Sequence, residues 1–171
     1  NSATVQFGPG SISNQFQIGT GTVAGESSGN LDLAIYGATN VLGTIEVQVG
    51  GQASGSIDTG TGALVMYGNL TTLVQWTTTP ASTPAPIAGN LEMTANRTFT
   101  VNKGFGSDAD LAVSAVIGAY EDTLGISFTK TGPGTMALSS SPTYTNGTSV
   151  NDGMLRLDGV ALPTGPVADR K

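Results

Sequence analysis

Seven short stretches of this chain alternate apolar with polar residues: LDLAIY (31–36), TIEVQV (44–49), NLEM (90–93), RTFTV (97–101), GISFTK (125–130), GTMAL (134–138) and GMLRL (153–157). A period of two puts successive side chains on opposite faces of an extended backbone, so each stretch predicts a half-buried strand. The stretches recur about every 8 to 15 residues, with Gly50-Gly51, Asn146-Gly147 and Asp152-Gly153 among the turn signals between them. Many short strands at even spacing leave a sandwich, a barrel or a solenoid. DADLAVSAVIGAYEDTLG (108–125) is apolar on nearly every side. It reads as strand through Leu111, Val113, Ala115, Ile117 and Ala119, with a buried helix as the alternative.

Composition narrows the chemistry. The chain has 171 residues, one domain's worth, and only 11% of them are charged, with 25 Gly and many Ser, Thr and Asn in their place. With no Cys and no His it has no Cys/His metal site, cysteine nucleophile, Ser-His-Asp triad or disulfide framework. Net charge is -6, and no Lys or Arg precedes Arg97, so the first half offers no phosphate-binding surface and nucleic acid is not an expected partner. No run approaches the roughly 18 apolar residues of a membrane helix. The chain opens at Asn1 without Met or a basic leader, as a processed product or a fragment would. Low charge, abundant Thr and the lack of thiols suit an exported protein.

Residues 77–86, TTTPASTPAP, carry three prolines and little to bury, and read as a surface loop, with an O-glycosylated tract as the sharper reading. Trp76 at its edge is expected to pack beneath it. Asn69, Asn96 and Asn146 each fit the N-glycosylation pattern and read first as turn residues. Asp108 and Asp110, two residues apart on one strand face, and Glu121-Asp122 are the material for a Ca²⁺ site, but they lack the spacing of known calcium loops and read as solvated turn acids. Lys and Arg are too sparse for a polysaccharide-cleaving groove, so no catalytic residue, metal or cofactor is expected.

FTKTGPGTMALSSSPTYTNGTSVNDGMLRLDG, from Phe128 to Gly159, resembles the autotransporter passenger-associated repeat. The usual form of that repeat runs L-T-K-x-G-x-G-T-L-x-L, then S-G-x-N-x-Y-x-G-x-T-x-V, then x-x-G-x-L-x-L. The resemblance rests on Lys130, Gly132, Gly134, Thr135, Leu138, Tyr144, Thr148, Val150, Gly153, Leu155 and Leu157. Pro142 and Asn146 stand where the pattern has Asn and Gly, in turns. NRTFTVNKG (96–104) and DLAVSAVIGAY (110–120) resemble the segment that often precedes it, so the repeat-like region spans 96–159. The resemblance implies an all-β, right-handed parallel β-helix (β-solenoid) on a secreted or surface-exposed bacterial protein.

In such a coil Phe128, Met136, Leu138, Val150, Leu155 and Leu157 would form inward ladders, and Thr and Asn would stack outside without repulsion. A β-sandwich or jelly roll stays as the alternative, chiefly for the N-terminal half. Residues 1–171 are read as a single β domain, with 1–24 as an N-terminal pairing segment and 160–171 as a C-terminal tail. The expected function is a non-enzymatic extracellular structural protein, a self-assembling part of a surface fibre, filament or sheath. Identical chains would stack end to end through exposed strand edges. The alternative is an adhesin or glycan-binding module, which a row of Tyr36, Tyr67, Trp76 and Tyr120 on one face would favour.

Overall fold

The computed structural model describes residues 3–5, 10–12, 16–18, 29–32, 38–41, 44–49, 55–74, 84–104, 108–122, 125–163 and 168–169. The first five passes of the chain add one strand to each of three sheets, and the last two add strands to the first and third sheets only. The first three passes supply β1 (Ala3–Val5), β2 (Gly10–Ile12) and β3 (Phe16–Ile18), then β4 (Gly29–Asp32), β5 (Ala38–Val41) and β6 (Ile45–Val49), then β7 (Ser56–Asp58), β8 (Ala63–Met66) and β9 (Leu70–Val74). Next come β10 (Ala85–Ala88), β11 (Asn90–Met93) and β12 (Arg97–Thr100), then β13 (Leu111–Val113), β14 (Val116–Ala119) and β15 (Phe128–Thr131). The last passes give β16 (Thr135–Leu138), β17 (Thr148–Val150), β18 (Met154–Leu157) and β19 (Ala168–Asp169).

The first sheet has the order β1-β4-β7-β10-β13-β16-β18, the second β14-β11-β8-β5-β2 and the third β19-β17-β15-β12-β9-β6-β3. All the pairings among the described residues are parallel. This is a β-solenoid. The sandwich alternative fails, because β1 to β6 enter the same three parallel sheets, whereas a sandwich or jelly roll is built from antiparallel strands. The helix alternative over 108–125 fails too: the segment holds β13, β14 and a single 3₁₀ turn at Tyr120–Asp122.

Parallel stacking turns the period-two pattern into columns. In the first sheet Ile57, Ile87, Val113 and Leu138 lie in register and are all buried. In the second, Leu64, Leu91 and Ile117 make one buried column, and Met66 and Met93 begin another that runs on to Ala119. Each such side chain contributes about 1.5–3 kcal/mol by leaving water. The column Ile45, Leu70, Phe99 in the third sheet continues onto Lys130 and then Val150. An inward lysine interrupts an apolar ladder there.

One boundary differs from the sequence reading. Ala85 and Pro86, placed in the loop, belong to β10, a central strand between β7 and β13. Proline is tolerated because Ala85 makes the donor bond to Asp110 on the β13 side, while the β7 ladder begins only at Ile87. Residues 77–83 and Trp76 lie outside the described residues.

Candidate functional site

The strongest concentration of buried polar chemistry among the described residues lies where β15 turns into β16. Lys130 is fully buried, and its Nζ donates to the carbonyl oxygens of Gly134 at 2.6 Å and Asp152 at 2.8 Å, and to that of Gly132. The ammonium thus ties the corner 132–134 to the corner 152–153 of the next coil. Burial lowers its pKa, and the charges of Asp152 and Asp110 act in the opposite direction.

The glycines of the motif are dictated by this packing. Gly132 has φ +80°, and a Cβ there would stand 2.6 Å from the Val101 carbonyl oxygen. Gly153 has φ +69°, and a Cβ there would stand 2.5 Å from both the Gly134 oxygen and Lys130 Nζ, so the ammonium occupies the space that a side chain would need. The Gly134 amide donates to Val101 at 2.7 Å, bringing the corner down onto the coil before it.

A buried carboxylate joins the same corner from the other side. Asp110 accepts from the Gly104 amide at 2.7 Å and the Thr135 amide at 2.7 Å, and Lys103 Nζ lies 3.4 Å away. Asp110 is therefore not the solvated acid expected from sequence, nor does it share a face with Asp108, which is exposed. Two amide donors and a lysine stabilise the charge and offset its burial. The segment 102–110 offered one sign of this, an acid just before a strand and a glycine-rich turn within reach of it.

Tyr144, buried beside Phe128, closes the motif. Its hydroxyl lies 2.5 Å from Thr148 Oγ1 and its ring centroid 5.9 Å from that of Phe128, which meets Phe99 edge-on at 5.0 Å. Burial raises its phenol pKa, and the hydrogen bond with Thr148 acts against that.

The remaining motif residues lie where the chain is less covered. Val150 and Leu155 are half-buried, and Leu157, expected in the inward ladder, is 40% exposed because it sits on β18, beyond which no strand of the first sheet lies among the described residues.

The three glycosylation-pattern asparagines are exposed turn residues whose side chains tie coils together. Asn69 Oδ1 accepts from the Thr98 amide at 3.0 Å, Asn96 Oδ1 from the Ser127 amide at 2.9 Å, and Asn146 Nδ2 donates to Gly125 at 2.7 Å. Arg97, not singled out from sequence, sends Nε to the Met66 carbonyl at 3.1 Å.

Among the described residues no group of three or more Asp or Glu is placed to hold a metal ion, and Asp110 is already committed. Of the aromatic row, Tyr67 and Tyr120 follow β8 and β14 in the second sheet, while Tyr36 and Trp76 lie outside the described residues.

Stacked parallel strands stapled at their corners define a β-solenoid. Residues 128–157 match the family model of the passenger-associated-transport repeat, and Lys130, Gly132, Gly134, Tyr144 and Gly153 all fall inside the match. This repeat family carries with it surface or secreted placement. No curated protein and no solved structure matches the chain.

Proposed function

We propose that the chain is a non-catalytic structural segment of a surface or secreted passenger, built to hold a stack of coils in register. The observation that carries this reading is where the buried polar side chains of the described residues go. Thr59, Thr72, Asp110 and Lys130 all bond to backbone of another coil, and Thr148 pairs with Tyr144. None of them is left aimed at a cleft, as a nucleophile or general acid would have to be. Small-angle scattering with a turnover screen against polysaccharides tests the proposal. A rod without turnover supports it; a compact particle or measurable cleavage overturns it.

Assembly is the second part of the proposal. Met154 and Leu157 are 57% and 40% exposed on β18, the last strand of the first sheet among the described residues, where a strand from a second copy would cover them end to end. Sedimentation and negative stain should find concentration-dependent fibres that Leu157→Asp dissolves. A chain that stays monomeric at high concentration ends the assembly part and leaves the rod intact.

A further inference from the structure

We propose that Asp152 modifies itself: its carboxyl and the Gly153 amide close to a succinimide that water opens to isoaspartate, and the carboxylate released pairs with the buried Lys130 ammonium. The inference goes beyond the structural role and holds whether or not copies assemble.

The starting observation is a buried charge without a counter-charge. Lys130 is fully buried, and its three acceptors are the main-chain carbonyls of Gly132, Gly134 and Asp152. It takes part in neither of the ion pairs found among the described residues, Lys103 with Asp110 and Arg156 with Asp158. Carbonyl dipoles solvate an ammonium but leave its charge uncancelled, and a buried cation gains most from an anion at contact. One of the three carbonyls can become that anion.

Asp152 stands before a glycine on the exposed side of this corner. The Gly153 amide donates to Asp152 Oδ1 at 2.8 Å. That bond folds the carboxyl back onto the nitrogen that attacks it, so closing the ring needs little further ordering, and glycine puts no side chain in the way. The nitrogen bonds to Asp152 Cγ, and one carboxyl oxygen leaves as water with the acid proton and the amide proton.

Lys130 Nζ lies 2.8 Å from the carbonyl oxygen of the same peptide unit. An ammonium there draws electron density from the amide during closure, and in the ring it polarises the main-chain carbonyl over the side-chain one. Water adds to the main-chain carbon, its bond to nitrogen breaks, and the nitrogen takes back a proton. A carboxylate is left against Lys130, and the chain runs on through Cβ and Cγ. Net charge is unchanged, because a main-chain carboxylate has replaced the side-chain one.

The chain carries its own comparison. Asp158-Gly159 is the same pair, also exposed, with Gly159 at φ +75° beside +69° for Gly153. There both carboxylate oxygens are engaged by Arg156, at 2.8 Å and 3.0 Å. Asn146-Gly147, the amide counterpart, has its side chain turned onto the Gly125 carbonyl at 2.7 Å.

Incubating the folded chain and the urea-unfolded chain in heavy-oxygen water at mildly acidic pH tests this. Electron-transfer fragmentation of peptides then locates isoaspartate and incorporated label. In the folded chain Asp152 should give at least about tenfold more isoaspartate than Asp158, the effect of holding the reacting groups together, and in urea that excess should vanish. Labelled product at position 152 should also be richer in isoaspartate over aspartate in the folded chain than in urea. Lys130→Met should slow the reaction at Asp152 by about tenfold or more, since it takes the cation off the carbonyl. Asp152→Glu, whose ring would be one atom larger, should show no isomerisation at that position. If Lys130→Met does not fold, the ratio of the two sites in the parent decides by itself. Equal isoaspartate at Asp152 and Asp158 in the folded chain overturns the proposal. So does an excess at Asp152 that persists in urea, which would belong to the local sequence, or one that folded Lys130→Met keeps in full.

Discussion

The coils from β7 to β11 and the coils from β15 to β18 solve one problem by different means. In the first region apolar columns stack: Ile57 on Ile87, Leu64 on Leu91, Met66 on Met93. In the second the column step from Phe99 to Lys130 is followed by a much shorter one from Lys130 to Val150, and the corners are held by Lys130, Asp110 and the Tyr144–Thr148 pair. A long coil has room for apolar area, which is non-directional and forgiving. A short coil has less, so it is held by directional bonds that admit few substitutes. The difference teaches where a solenoid is strict about its sequence.

The test that would most damage this contrast is Lys130→Met. If the column were only an apolar ladder, methionine would fit it. If the ammonium is the joint, three carbonyls lose their donor, and the region should lose about 3–5 kcal/mol, as when one partner of a buried charged network is removed. Hydrogen exchange at the amides of Asn151 and Met154, which donate to Lys130 and Gly134, would report that loss locally. The matching change in the forgiving region, Leu91→Met, should cost under about 1.5 kcal/mol by urea unfolding.

Gly132→Ala comes next, because it forces a side chain into the left-handed region and against Val101; a loss of about 2 kcal/mol is expected in the same unfolding assay. Tyr144→Phe removes only the hydroxyl bonded to Thr148 while keeping the ring on Phe128, and should cost about 1 kcal/mol.

The smallest effect is the one on pH. Since burial lowers the Lys130 pKa, the unfolded chain holds that proton more firmly than the folded one does. Raising pH from the folded value toward that of ordinary lysine should therefore add stability from this group. Wild type minus Lys130→Met, followed by unfolding midpoint through mildly alkaline pH, should show a rising difference slope. A falling slope would mean that the charged form is favoured by the fold.

Sequence legibility followed the same divide. The ladders were readable as alternation, because the pleat alone sets which side chains point in. The repeat corner was readable because Lys130, Gly132 and Gly153 are each held by a specific contact. Asp110 was harder to read, since a carboxylate before a strand looks solvated until the Thr135 amide arrives from the next coil. Pro86 misled for a related reason. Its missing donor matters only toward one neighbour, and which neighbour it faces depends on register.

The ring of carbonyls around Lys130 Nζ has a consequence for the setting in which such a protein works. Oxygens converging in this way make the kind of cage that a free monovalent ion fills, and such a site empties when the ion is diluted away. Here the ion is covalently part of the chain. The corner carries its own cation, so neither dilution of salt nor a chelator can take it out.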